Sequence, residues 1–332
     1  MLVAVVAGCS EPGGERFQFT RVTMGVSTNI VVESSTREKA AEAAAAAFER
    51  IAEIEDAASD YRPQSELMRL CHGSQEVGAW VPVSDDLGSL LGTARAMSER
   101  TGGAFDVTVG PAVALWRAAR KSGRLPEASA LADARGRIDW RAVEIRTGPP
   151  MARLMKKRMG LDMGGIAKGY AAQEAVRVLE RRGLPRCLVA LAGDVYAGAA
   201  PSGQAGWRVE VRGDRSEAVI GTLLVEHAAV STSGDVEQFV KVDGVRYSHI
   251  VDPRTGVGIV GGMAVTAIGE DGAYVDAADT GGVVLGLEGM RAAFSGDRRV
   301  TLIVHRASGA PLVIGDASRV QWVEAPRLDK SE

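Results

Sequence analysis

The sequence predicts an α+β fold with mostly antiparallel sheet. Two observations predict it. Helical and strand-like stretches are interleaved, but without the strict strand–helix–strand rhythm of a parallel sheet. Asp243-Gly244 stands between two apolar runs, the mark of a two-residue hairpin joining antiparallel neighbours.

Residues 17–33 alternate apolar and polar side chains and read as strand, broken at Met24-Gly25. Residues 37–58 form an alanine-rich helix, because Ala40, Ala44, Ala47, Phe48, Ile51 and Ile54 share one face. Pro63 follows in a turn. Ser84 caps the next helix, with Asp85 and Asp86 in its first turn, and Thr101-Gly102-Gly103 ends it. After Gly110-Pro111 a short helix covers residues 114–120. A further helix covers residues 166–182 and stops at Gly183. Strands then dominate, over residues 187–192, 207–211, 222–225, 239–242, 246–251 and 265–268. Residues 273–287 read as helix despite Gly281-Gly282, and residues 300–305 and 311–314 close the chain as a hairpin. No linker, repeat or low-complexity stretch divides residues 17–325, so these form one domain, followed by a disordered tail over 326–332.

The 332 residues are 46% hydrophobic and 24% charged, an ordinary globular balance. A formal charge of −3 supplies no basic field for nucleic acid, and 5% aromatics supply few stacking surfaces. No apolar run reaches the roughly 18 residues of a spanning helix. The first residues differ: Val6-Ala-Gly-Cys9 follows a short apolar stretch and reads as a bacterial lipobox. It lacks the basic stretch expected before such a signal. Cys9 would carry the lipid, residues 10–16 would be a tether, and the domain would sit lipid-anchored at the cell envelope, on the periplasmic side. Cys71 and Cys187 are expected as free, partly buried thiols.

Four segments have a density of small, hydroxylated and acidic residues that a core does not need. Leu161-Asp-Met-Gly-Gly-Ile-Ala-Lys-Gly-Tyr170 places paired glycines and Lys168 ahead of a helix, where backbone N–H groups can approach a phosphate. On local sequence it also reads as a tight strand-to-helix turn with a solvated lysine. Asp276, Asp279 and Thr280 share a helical face and offer hard oxygens suited to Mg²⁺, or else a solvated stripe. Ser231-Thr-Ser-Gly-Asp-Val-Glu and Arg246-Tyr-Ser-His-Ile-Val-Asp-Pro-Arg-Thr-Gly256 gather hydroxyls, acids and His249 into about one hairpin. His249 is placed to move a proton near neutral pH, or is packed and hydrogen-bonded. His72, His227 and His305 have no comparable company and read as structural or solvated. Ala104-Phe-Asp106 and Tyr61 combine rings with an acceptor, enough to hold a planar heterocycle, or simply to cap a core.

In order along the chain stand Met24-Gly25, Ser59-Asp-Tyr-Arg-Pro-Gln-Ser-Glu66, Ala104-Phe-Asp-Val-Thr-Val-Gly-Pro111, the Leu161–Tyr170 segment, Ser231-Thr-Ser-Gly234, Ser248-His-Ile-Val-Asp-Pro-Arg-Thr-Gly256 and Asp276-Ala-Ala-Asp-Thr280. This series resembles the ApbE family of Mg-dependent flavin transferases, from about Met24 to about Gly286. The resemblance implies an ApbE-like, T-fold-related architecture. It implies an FAD pocket lined by Met24, Tyr61, Ala104, Phe105, Asp106, Asp162, Lys168 and Ile250, and Mg²⁺ held by Gly165, Asp276, Asp279 and Thr280. FAD would be the substrate: AMP leaves, and FMN is esterified to a threonine of a partner protein, pointing to an envelope redox-pump subunit. His249 would assist the proton of the accepting hydroxyl, with Asp252 orienting it. A Mg-dependent FAD pyrophosphatase and a non-catalytic flavin-binding lipoprotein are the alternatives. Val26 replaces the family's threonine after Met-Gly, Cys71 a common asparagine, and Asp279 a common serine; Ala192 stands first in a Gly-Gly-Asp strand end.

Overall fold

The protein is described by a computed structural model over residues 14–73, 77–213, 219–234, 239–261, 263–305 and 310–324. The lipobox, the tail and Asp235-Val-Glu237 lie outside the described residues. Strands β1–β17 and helices α1–α7 are numbered along the chain.

An eight-stranded, fully antiparallel sheet forms the frame. Its order is β1 (Glu15–Thr23), β2 (Val26–Ser34), β6 (Cys187–Leu191), β7 (Asp194–Ala197), β10 (Ala228–Ser233), β14 (Ala264–Gly269), β15 (Val300–His305), β16 (Leu312–Ile314). One face is covered by α1 (Arg37–Ala58) and α6 (Ala167–Arg181), whose alanines allow close approach to Ile30, Val32 and Val189. The same face continues under α7 (Gly272–Phe294), which packs on β10, β14 and β15 and against α3 (Asp85–Arg100). The other face packs on a small sheet of β8 (Trp207–Arg212), β9 (Val219–Val225) and β17 (Trp322–Glu324). A central strand such as β6 is therefore buried on both sides, which is why it reads as an unbroken apolar run.

Two further three-stranded sheets are present among the described residues. One orders β3 (Val81–Pro82), β5 (Met151–Leu154) and β4 (Val143–Arg146), beside α2 (Glu66–Gly73). The other orders β11 (Phe239–Val242), β12 (Val245–Asp252) and β13 (Val257–Val260), lying on α4 (Gly110–Ser122), which packs against α5 (Ala128–Gly136).

The α+β, antiparallel expectation is borne out. The first helix has the predicted bounds, the Ser84 side chain accepts from the Leu87 N–H, and Asp243-Gly244 turns with φ values of 49° and 81°. Two readings need correction. Ser231–Ser233 and Arg246–Val251 do not form one hairpin: the first lies in β10 at the centre of the large sheet, the second in β12 of a separate sheet. The helix predicted over 114–120 starts at Gly110, because Pro111 is accepted in a first helical turn. The helix predicted over 273–287 ends as read at a kink, Gly286 at φ 68°, beyond which a second helical stretch continues α7 to Phe294. Strands β3–β5, β7, β10, β13 and β17, and helix α5, carried too short or too weak a pattern to be read.

Both remaining cysteines are buried free thiols. Among the described residues no helix is long and apolar enough to cross a membrane. Buried His305 donates to or accepts from Thr266 Oγ1 at 3.0 Å, while its Nδ1 has no partner among the described residues. Burial pulls its pKa down from 6.5 to about 4. The unfolded chain thus binds the proton first, so stability is present above pH 6.5 and is lost as pH falls toward 4. The loss is expected to be on the order of 3 kcal/mol. His305→Gln should flatten that part of a urea-melt pH series; an unchanged slope would count against the buried, neutral imidazole.

Candidate functional site

The floor of the site is where α6 and α7 meet the carboxyl edge of β10. Gly169 and Gly272 make the crossing: a Cβ built on Gly169 would lie 2.1 Å from the Gly272 carbonyl oxygen. That closeness lets the Gly169 N–H donate to Asp276 Oδ2 at 3.0 Å. Asp276, Asp279 and Thr280 sit on one stretch of α7, but the successive residues Asp279 and Thr280 differ in direction by about 100°. Asp276 and Thr280 consequently line the cavity, whereas Asp279 is turned toward the sheet and does not. There the Ser231 hydroxyl of β10 lies 2.5 Å from both Asp279 Oδ2 and Asp194 Oδ1. Lys168 is ion-paired with Asp194 and stands 3.8 Å from Asp276.

Three acids therefore share one lysine in the interior. Burial first, then the charge of Asp194, pushes Asp276 up to about 7. Burial, Asp276 and Asp194 raise Asp279 well above the carboxylate range. The same acids outweigh burial at Lys168 and hold its ammonium charged. Asp279 Oδ1 is buried with no hydrogen-bond partner among the described residues. An orphaned carboxylate oxygen in an acid-rich pocket is costly without positive charge.

The residues present fit a divalent cation. Asp276 supplies carboxylate and Thr280 hydroxyl, itself 3.0 Å from the Ser233 hydroxyl. Gly165 brings its backbone against Thr280, where a Cβ would meet Oγ1 at 2.9 Å. Among the described residues no group of three or more His, Cys, Asp or Glu side chains makes a ready metal cage. A mixed set with retained water is the pattern magnesium takes.

Above this floor opens a cavity of ≈ 730 Å³, within the range of sites for large ligands. Met24, Tyr61, Ala104, Phe105, Asp106, Asp162, Gly165, Lys168, His249 and Ile250 all line it. Met24 occupies the β1–β2 turn at φ 49°, its N–H held by Glu55. Phe105 is nearly buried, tucked beside Gly281. Asp106 uses both oxygens internally: Oδ1 takes the Thr108 N–H and hydroxyl, and Oδ2 takes the Trp140 N–H. It holds the wall rather than offering free acceptors. Asp162 likewise accepts from Gly164 N–H and Arg117. Tyr61 is the exposed ring, 71% accessible at the rim.

His249 is exposed in β12 and lines the cavity. Asp252 lies outside the lining, and its carboxylate grips Arg254 at 2.8 and 2.9 Å and the Arg254 N–H at 2.9 Å. It braces the β12–β13 turn. His72 ends α2, and His227 is an exposed turn residue at φ 47°. Sequence reasoning passed over three residues as site groups: Asp194, Ser231 and Arg117. Asp194 was legible as part of a familiar strand end, and Ser231 as part of a hydroxyl-rich motif; nothing local marked Arg117.

The ApbE family model matches residues 24–303. The chain is 32% identical over 276 residues to the FAD:protein FMN transferase of Treponema pallidum, covering 77% of this chain and 76% of that protein. It is 32% identical over 238 residues to the Salmonella typhimurium protein of the same name, covering 69% of this chain and 67% of the other. Among solved structures it is similar to the Thermotoga maritima ApbE protein, at TM-score 0.82 and 29% identity over 92% of this chain and 98% of that one. It is also similar to the Vibrio cholerae flavin transferase ApbE, at TM-score 0.79 and 26% identity over 92% and 99%. With the motif series, the antiparallel frame and the acid-floored cavity in agreement, this chain belongs to the ApbE family.

Proposed function

We propose that the protein is a Mg²⁺-dependent FAD:protein FMN transferase that esterifies FMN to a threonine hydroxyl. The observation that carries the reading is the buried Asp276–Asp279–Asp194 cluster with Lys168 as its partner cation, at the floor of a cavity with an aromatic rim. Asp276, Thr280 and the Gly165 backbone would hold the cation, with Asp279 behind them. A bound Mg²⁺ supplies charge neutralisation at the pyrophosphate oxygens. Lys168, 3.8 Å from Asp276, would add a fixed positive charge beside the same oxygens. The ring end of FAD takes the rim, with Tyr61 and the wall around Phe105, Met24 and Ile250.

In the transfer, the threonine oxygen forms a bond to the FMN phosphorus and the bond to the AMP oxygen breaks. The hydroxyl proton must leave as that bond forms. His249, exposed on the cavity side of β12, is the acceptor we assign. Exposure suits this role, since the hydroxyl arrives on a separate polypeptide. Asp252 supports it only by bracing the following turn. The lipobox at Cys9 supports an envelope location, where the acceptor would be a membrane redox-pump subunit.

The deciding experiment incubates the protein with FAD, Mg²⁺ and a threonine-bearing acceptor peptide, then resolves products by mass. FMN-labelled peptide plus AMP is the expected result. Free FMN plus AMP in place of labelled peptide would make it a pyrophosphatase, and unchanged FAD a carrier. His249→Ala is expected to slow transfer by about 10²–10⁴-fold, the usual worth of a positioned base. Transfer at the wild-type rate would remove His249 from the chemistry.

A further inference from the structure

The rim of the cavity is held by one side chain that the reaction chemistry does not use. Arg117 projects from α4 and touches three groups on two other segments. One guanidinium nitrogen pairs with Asp60, in the loop between α1 and α2. The other is 2.8 Å from Asp162 Oδ2, in the segment ahead of α6. Its Cζ lies over the Tyr61 ring, 4.2 Å from the centroid. The neighbouring Trp116 ties the same helix to the third wall: its Nε1 donates to the Gly256 carbonyl at 2.8 Å, and its ring lies 5.2 Å from Tyr247 of β12.

The geometry points to Arg117 as the positioning residue for the flavin ring, a role that rests on the FAD reading above. Tyr61 is 71% exposed, and an exposed ring on a loop has no fixed orientation of its own. A guanidinium can fix it, because its fork satisfies two carboxylates while its face stacks on an aromatic ring. Arg117 covers one face of the phenol and leaves the other for a planar heterocycle. It also keeps Asp60 and Asp162 together. Burial and the charge of Asp162 both raise the pKa of Asp60, a sign that the two acids repel without the arginine between them. A lysine could supply the charge but neither the fork nor the stack.

The role separates from that of the acid floor. Arg117 touches no residue assigned to the cation, so its loss should weaken FAD binding and spare turnover of bound FAD. Arg117→Leu is expected to raise KM and Kd for FAD on the order of tenfold, with kcat altered less than about threefold. Arg117→Lys should recover part of the loss, confirming that the site still folds. Quenching of FAD fluorescence on binding should fall to the level of Tyr61→Leu. In a double-mutant cycle, Arg117→Leu and Tyr61→Leu should be strongly non-additive in Kd, because one acts through the other. Additive effects, or Kd for FAD unchanged in Arg117→Leu, would overturn this inference alone. Failure of the wild type to bind FAD would overturn it together with the functional reading.

Discussion

Asp276→Ala is expected to lower FAD cleavage and FMN transfer by about a thousandfold or more, while the protein keeps its fold. Asp276 is buried yet open to the cavity, and its Oδ2 is oriented by the Gly169 N–H. Its charge is costly in that setting: burial and Asp194 push it up to about 7. A group held against such a penalty is expected to have a partner, and the orphaned Asp279 Oδ1 nearby points the same way. EDTA should therefore abolish wild-type activity and added Mg²⁺ restore it, whereas Asp276→Ala should stay inactive at saturating Mg²⁺. FAD binding should survive in the variant to a large degree, because the rim contacts come from other segments. Asp276→Ala turning over FAD at the wild-type rate would place the cation elsewhere. The thermal melt separates this from misfolding: relief of the repulsion from Asp194 offsets the lost bond from the Gly169 N–H, so the melting temperature should stay close to wild type.

The second large effect is on the fold. Gly169→Val should destabilise the protein by about 4 kcal/mol or more, which corresponds to roughly 6 °C in melting temperature. The reason is contact between backbones. A Cβ on Gly169 would sit 2.1 Å from the Gly272 carbonyl oxygen and 2.8 Å from Asp276 Cβ, and one on Gly272 would meet the Gly169 oxygen at 2.2 Å. Neither neighbour is a flexible side-chain end, so α6 and α7 must separate. Separation also withdraws the N–H that orients Asp276, so Gly169→Ala should already cut activity more than it lowers the melting point. A Gly169→Ala protein that melts within about 1 °C of wild type would show that the helices can part at little cost.

What the sequence determined by itself is whatever depends on near neighbours in the chain. The alanine-rich face of α1 gave its bounds, because the 3.6-residue period places Ala40, Ala44, Ala47, Phe48, Ile51 and Ile54 against one core. The Ser84 cap and the Asp243-Gly244 turn were legible for the same reason: hydrogen bonds and φ values within three or four residues set them. The motif series also sufficed to indicate the family, and with it most of the residues that line the cavity.

Tertiary structure decided the rest. Ser231 was visible as one of several hydroxyls, yet its partners Asp194 and Asp279 lie 37 and 48 residues away. Arg117 reaches Asp60 and Asp162 across 57 and 45 residues, and no local pattern marks it. Asp279 and Thr280 are adjacent in sequence, but α7 turns one toward the sheet and the other into the cavity. Asp252 was read as a partner for His249, and the β12–β13 turn gives it Arg254 instead. The physical reason is common to all of these. Hydrophobic period and turn chemistry are written residue by residue, whereas the energy of a buried charge depends on which other charges the fold brings within a few ångströms.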